Sequence, residues 1–367
     1  VTALRIAILG GGPIGLDAAL AAAAAGHDAR VYEIEPTVGG AVRRWGHVRM
    51  FTPWSMNVSP RMAAALGDAA PDGDEVPTGA QLADRLLAPV AATPALAGRI
   101  RTGVRVRAVA RQGRLKHEGL GSPDRAAERF RLLLQDVATG EESVAHADVV
   151  VDATGTYGQP NRLGDGGIDA VGEQALEDRI VRHLPDLTAD PARWAGRSVL
   201  LTGAGHSAQT AARALAVFAR DAPGTHVTWA IRDADPDFGA VAGDPLPERA
   251  SLNATAAALR AGSSDAIAVR TGVVTEALRA DADGRVAVTL RNGGPQDVVV
   301  DEIIALNGGH PDGTLYRQLQ VQECYATLGP IRLAAVLLGE TSADCLAPST
   351  AGSDALRTAE PGFFILG

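Results

Sequence analysis

The sequence predicts an α/β protein of two similar halves, the second inserted into the first. Three observations carry this. A short apolar strand, a glycine-rich turn, an alanine-rich helix and a second strand follow one another over residues 4–34. The same succession returns over residues 197–232. Each is followed by segments with the alternation of a three-stranded meander, and each meander closes on a short motif of small residues.

The first unit opens with six mostly apolar residues, 4–9, which read as a buried parallel strand. Gly10, Gly12 and Gly15 then fit G-x-G-x-x-G, with Pro13 and Ile14 between the last two. Residues 16–25 are a strong helix former that Gly26 stops. The second strand, 29–34, carries Glu33, 18 residues after Gly15. The roles are separable: Gly10 lets the strand turn sharply, Gly12 lets a pyrophosphate approach the backbone, and Gly15 lets helix and strand pack closely. The helix N-terminus offers free N–H groups to phosphate. A carboxylate at Glu33 accepts ribose hydroxyls and repels a 2′-phosphate, so this half suits FAD or NAD and not NADP.

The chain has 367 residues, 46% of them hydrophobic, which suits one large or two medium domains with sizeable cores. A net charge of -9 argues against nucleic-acid and anionic-membrane partners. Lys116 is the sole lysine among abundant arginines, a compositional bias without functional content. Cys324 and Cys345 cannot build a disulfide framework. No apolar run has the length of a membrane span, and the first strand begins within a few residues of Val1, so a cytoplasmic protein without a targeting segment is expected.

After the second strand come Gly39-Gly40 and a segment, 43–57, that concentrates Trp45, His47, Phe51, Trp54 and Asn57 in a chain that is only 4% aromatic. A loop of that composition is a packed plug or a ligand-facing wall. Residues 78–98 read as a helix capped by Thr78. Strands are predicted over 103–110, 129–136 and 143–151, the last running into Ala153-Thr154-Gly155. Residues 156–195, rich in Gly, Pro and Asp, read as linkage. Then Gly203-Ala-Gly205-His206-Ser207-Ala208 repeats the phosphate turn between a strand at 197–202 and a helix at 209–220. His206 and Ser207 sit where each donates to a pyrophosphate. Where the first unit has Glu33, the second ends its strand on Arg232, a partner for a 2′-phosphate, so this half prefers NADPH. A second meander is predicted over 268–274, 286–291 and 298–305, closing on Leu306-Asn307-Gly308-Gly309.

On these residues the chain resembles the two-dinucleotide-binding-domain flavoproteins, and within them the flavin-containing, NADPH-dependent monooxygenases. The G-x-G-x-S-A form of the turn at 203–208 and the Ala-Thr-Gly at 153–155 carry the closer likeness. No Cys-x-x-Cys of a disulfide reductase occurs. The Phe-x-Gly-x-x-x-His signature of the monooxygenase branch is also missing; the nearest segment holds His183. The resemblance implies two Rossmann-like domains, each with a β-meander: an FAD domain of residues 1–165 and 306–367 and an NADPH domain of 166–305 inserted in it. It places FAD on Gly10, Gly12, Pro13, Ile14, Gly15, Glu33, Gly40, Arg43, Val106, Thr154 and Gly155, and NADPH on Gly203, Gly205, His206, Ser207 and Arg232. In this family the closing strand, here 362–367, feeds a last helix that faces the flavin.

The implied activity is oxidation of a small organic substrate by oxygen, through a flavin hydroperoxide, after NADPH reduces the flavin; the alternative is an oxidase or reductase of the same fold. No metal is called for. Asn57 is the candidate beside the flavin, against the alternative that its amide bonds its own loop. Trp54 is set to stack on flavin or substrate, or to pack in the core, and His47 to act as acid–base or as a structural hydrogen-bond partner. A small-molecule substrate and oxygen are the expected partners, with room for a homodimer.

Overall fold

The computed structural model describes residues 2–339 and 352–366. It is α/β and divides into two compact units, one formed by residues 1–158 and 310–367 and one by the continuous stretch 159–309.

Unit 1 begins with β1 (Arg5–Leu9), the helix Pro13–Ala24 and β2 (Asp28–Tyr32). Both faces of β1 are covered: Ile8 packs against the helices, while Ala7 and Leu9 face a second apolar cluster. That two-sided burial is why the strand is apolar from Ile6 to Leu9. The helix predicted over 78–98 starts as read, with Thr78 and Gln81 forming a reciprocal capping box. It ends earlier, at Ala91, after a π-turn over Ala83–Leu87. Thr93 turns its hydroxyl back on the Val90 carbonyl and Pro94 has no N–H to continue the ladder. β3 (Ile100–Arg101) then joins the sheet edge.

The meander of unit 1 is β4 (Val104–Arg111), β5 (Phe130–Asp136) and β6 (Glu142–Ala147), antiparallel throughout. The single strand expected over 143–151 is in fact two. It breaks at Asp148, whose carboxylate accepts the Arg5 N–H at 2.8 Å, and continues as β7 (Val149–Asp152), parallel to β1.

Unit 2 repeats the plan. The stretch read as linkage supplies an edge strand, β8 (Ile180–Val181), and a short helix, Pro191–Trp194. β9 (Ser198–Thr202), the helix His206–Asp221 and β10 (His226–Ile231) follow. A helix absent from the sequence reading, Pro247–Arg260, buries Leu252, Ala256 and Leu259. The segment expected as one strand over 268–274 is β11 (Ile267–Thr271), parallel to β10, followed by β12 (Val274–Ala280) of the meander. β13 (Val286–Asn292) and β14 (Gly294–Val300) complete it, and β15 (Glu302–Ala305) returns to the parallel sheet beside β9. The last strand, β16 (Phe363–Ile365), belongs to unit 1 and pairs with β7.

The parallel sheets have the same plan: β16-β7-β1-β2-β3 in unit 1 and β8-β15-β9-β10-β11 in unit 2. In each, helices cover one face and the meander covers the other. The correspondence reaches the local irregularities, because a β-bulge interrupts the first meander strand at Val106/Ala108 and again at Thr275/Ala277. Among the described residues no helix is long and apolar enough to cross a membrane.

Candidate dinucleotide-binding sites

The turn of unit 1 lies between β1 and its helix. Gly10 has φ +100°, and a Cβ there would sit 2.5 Å from the Ala153 carbonyl oxygen. A Cβ on Gly15 would collide with the Gly10 carbonyl. Gly12 is different: its φ is -80° and nothing lies within 4 Å of the position a Cβ would take. Two glycines of the motif are thus required by the protein's own packing, and the third leaves open space over the backbone. The helix starts on Gly12 with no side-chain cap, so its first N–H groups are left for a ligand. Pro13 opens the helix without an N–H to lose, and Ile14 is exposed beside it.

Glu33 is 6% exposed, just past β2. Its Oε2 accepts the Gly11 N–H at 2.6 Å and its Oε1 accepts the Glu35 N–H at 2.9 Å. Each oxygen keeps a lone pair for a ribose hydroxyl. Burial raises its carboxyl above the ordinary range, opposed by those backbone N–H groups. The Gly39 N–H donates to the Gly11 carbonyl at 3.0 Å, which brings the Gly40 helix start to the turn. Thr154 donates its N–H and hydroxyl to Asp152 Oδ1, at 3.0 and 2.7 Å, and fixes the strand end that Gly10 touches. Gly155 follows with φ +68°. Val106 is partly buried in the cluster between sheet and meander. Arg43 is paired with Asp84 at 2.6 Å.

Within segment 43–57, Gly46 and Trp54 are buried and the remaining residues are partly or fully exposed. Trp54 is 1% exposed in the core cluster beneath the Arg85 guanidinium, 5.1 Å from its ring. Trp45 closes over Gly79. Asn57 spends its amide locally: Nδ2 donates to the Thr52 and Pro53 carbonyls, both at 2.8 Å, and Oδ1 accepts the Thr52 hydroxyl at 2.9 Å. Of the two roles open to Asn57, the geometry is that of a loop tie. His47 is exposed. Cys324 is half-buried, its thiol held below the ordinary range by hydrogen bonds from Thr327 and Ala326; Cys345 lies outside the described residues.

The turn of unit 2 has the same division of labour. Gly203 has φ +107°, and a Cβ there would strike the Leu306 carbonyl, as Gly10 meets Ala153. Gly205 has nothing within 4 Å and caps the helix His206–Asp221 with no side chain. A cavity of about 610 Å³ opens over this turn, lined by Gly203, Gly205, Arg232, Asn307 and Arg162 among others. Arg232 is exposed and has no hydrogen bond or ion pair to any described residue, so its guanidinium is available. The His206 imidazole is held below its ordinary pKa by burial and then by the Arg249 guanidinium.

Three supports of this turn escaped sequence reading. Trp229, fully buried in β10, donates its indole N–H to the Gly203 carbonyl at 2.8 Å. Gln209, 1% exposed, donates to the Ala204 and Phe238 carbonyls, both at 2.9 Å. Asn307 accepts the Thr202 hydroxyl at 3.0 Å. Trp229 and Gln209 thus hold the carbonyls of Gly203 and Ala204, and Asn307 holds the hydroxyl of the residue before them. The available signal was a polar residue at a position the periodicity buries: a Trp inside a strand, a Gln on the inner face of a helix.

No protein-family model matches the sequence, and no curated protein does. Solved structures do match in fold. A bacillithiol disulfide reductase from Bacillus cereus is 20% identical, with a TM-score of 0.66 over 100% of this chain and 90% of that one. The fold is that of the two-dinucleotide-binding-domain flavoproteins. The FAD-bound cadaverine monooxygenase of the desferrioxamine pathway of Erwinia amylovora shares it at 14% identity, TM-score 0.62, covering 89% of this chain and 84% of that one. So does the ornithine N-hydroxylase of Kutzneria sp. 744, solved with reduced FAD, NADP+ and L-ornithine, at 16% identity, TM-score 0.57, covering 89% and 86%. Disulfide reductases and monooxygenases of this fold therefore both stand at similar distance from the chain.

Proposed function

We propose that the protein is an FAD-containing, NADPH-dependent oxidoreductase, with unit 1 holding FAD and unit 2 holding NADPH. The observation that carries this is the pair of turns, each with two packed positions and one open glycine, that differ in the residue after the second strand. Glu33 is a buried acceptor suited to ribose hydroxyls. Arg232 is an unpaired cation on a cavity wall.

When bound, the flavin accepts electrons from NADPH and passes them on. The chain's contribution is binding and orientation. The helix starts at Gly12 and Gly205 offer N–H groups to the two pyrophosphates. His206 opens the second of these helices, beside the proposed pyrophosphate. Arg232 pairs with the 2′-phosphate.

The finer reading is a monooxygenase of a small organic molecule, supported by the Ser-Ala ending of the second turn and by the lack of a Cys-x-x-Cys. Fold likeness to the bacillithiol disulfide reductase favours a second reading, a reductase that inserts no oxygen. One experiment separates them: reduce the protein with NADPH anaerobically, admit oxygen with candidate amines, sulfides and disulfides, and count oxygen and NADPH consumed per product. Stoichiometric oxygen uptake with an oxygenated product supports the monooxygenase. Disulfide reduction without oxygen uptake supports the reductase, and failure of NADPH to bleach the flavin refutes both.

A further inference from the structure

The chain enters unit 2 at Gln159 and leaves it at Gly309. Inside that unit the two crossings are laced together. Pro160 and Gly309 form an antiparallel bridge, and the Asn161 N–H donates to the Gly308 carbonyl at 3.0 Å. The Asn161 side-chain amide donates to the Asn307 carbonyl at 3.0 Å. Asn307 then reaches in two directions. Its Nδ2 donates to the Arg162 carbonyl at 3.2 Å and its Oδ1 accepts the Thr202 hydroxyl at 3.0 Å. Thr202 ends β9 and hands the chain to the phosphate turn, and a Cβ on Gly203 would lie 3.3 Å from Asn307 Oδ1. Asn161, Arg162, Thr202, Gly203 and Asn307 all line the cavity.

A carboxamide can serve both branches because it carries an acceptor and a donor on one planar group. The fold does not require this. At the equivalent place unit 1 has Thr154, which spends its N–H and hydroxyl on Asp152, two residues back. We propose that Asn307 is a positioning residue that couples occupancy of the unit 2 cavity to the stiffness of the two crossings. A nucleotide that orders the turn at Gly203 also fixes the Thr202 hydroxyl, and through Asn307 it fixes the Arg162 carbonyl and the strap beyond. This rests on the reading of that cavity as the NADPH site.

The test is hydrogen exchange on the FAD-loaded full chain with and without NADP+, each variant at about one hundred times its own Kd. Amides whose exposure requires release of the nucleotide then slow about a hundredfold. In the wild type, slowing is expected at 203–206 and also at 161–164 and 307–309. Asn307→Asp keeps the acceptor for Thr202 and loses the donor to Arg162, so slowing should persist at 203–206 and vanish at 161–164. Thr202→Val cuts the other branch, must give the same pattern, and decides the matter if Asn307→Asp does not fold. Equal slowing at 161–164 in the variants, or none there in the wild type despite slowing at 203–206, overturns the coupling. No slowing at 203–206 in the wild type overturns the nucleotide reading itself, and the coupling with it.

Discussion

The two kinds of glycine in the first turn should fail in opposite ways. At Gly12 the backbone is extended, with φ -80° and ψ -174°, and a new side chain meets no protein atom within 4 Å. Gly12→Val should therefore leave apo stability within about 1 kcal/mol of wild type, since reduced unfolded-state entropy offsets a slightly poorer helix cap. On the proposed assignment the same side chain stands where the pyrophosphate would lie. Displacing two charge-assisted backbone bonds at about 1.5–3 kcal/mol each removes about 3–6 kcal/mol, roughly two to four orders of magnitude in affinity. At Gly10, with φ +100° and a carbonyl 2.5 Å away, valine must strain the backbone and move Ala153. Gly10→Val should lower stability by several kcal/mol whether or not flavin is present. The assay is thermal unfolding of flavin-stripped protein beside flavin content after gel filtration. Gly12→Val protein that stays fully yellow would refute the assignment of unit 1. Gly12→Val apoprotein that unfolds as early as Gly10→Val would refute the division between packed and open glycines.

Arg232→Ala should weaken NADPH by about ten-fold or more and leave NADH nearly unchanged in equilibrium titration; because the group is exposed, the difference should shrink with added salt. Glu360 is buried between Arg111 (2.7 Å) and Arg125 (2.9 Å) and accepts the Gln320 N–H, so Glu360→Gln should cost about 3–5 kcal/mol in denaturant unfolding. Burial raises that carboxyl, but the bonds from Arg125 and Arg111 outweigh it and the net shift is downward. Its stabilisation is therefore present above the unfolded carboxylate pKa, near about 4.3, and is lost as pH falls through the lower folded value. The acid limb of a stability–pH curve should accordingly flatten in Glu360→Gln. Asn57→Ala should lower stability by about 1–3 kcal/mol through its loop bonds and leave peroxide formed per NADPH unchanged; a rise in peroxide at full flavin content would return Asn57 to the chemistry.

Both phosphate turns were legible in the sequence because three chemical demands, a turn, an approach and a close packing, all select glycine and leave a spaced pattern. The strand joints were not. Residues 143–151 alternate and then run apolar without a glycine or proline, so the change of sheet at Asp148 is written only in a carboxylate that bonds Arg5, far away in sequence. The helix Pro247–Arg260 was missed because only one narrow stripe of it is buried; Pro247 as its first residue was the usable signal. Asn57 sat in an aromatic neighbourhood that looks the same from sequence whether the rings face a ligand or each other. Deciding that takes the direction of an amide.

The nesting of the units has a consequence for how the chain acquires its structure. Unit 2 is one uninterrupted stretch, whereas the sheet of unit 1 lacks an edge until β16 arrives beside β7. Glu360, which pairs with both Arg111 and Arg125, comes just before that strand. On a ribosome, where domains fold as units and in the order they emerge, the part of unit 1 that precedes unit 2 waits for β16, which follows it. Unit 2 closes while unit 1 still holds two uncompensated guanidinium groups and an open strand. Unit 1 is thus exposed to mispairing for longer than unit 2, and residues 360–365 end that exposure.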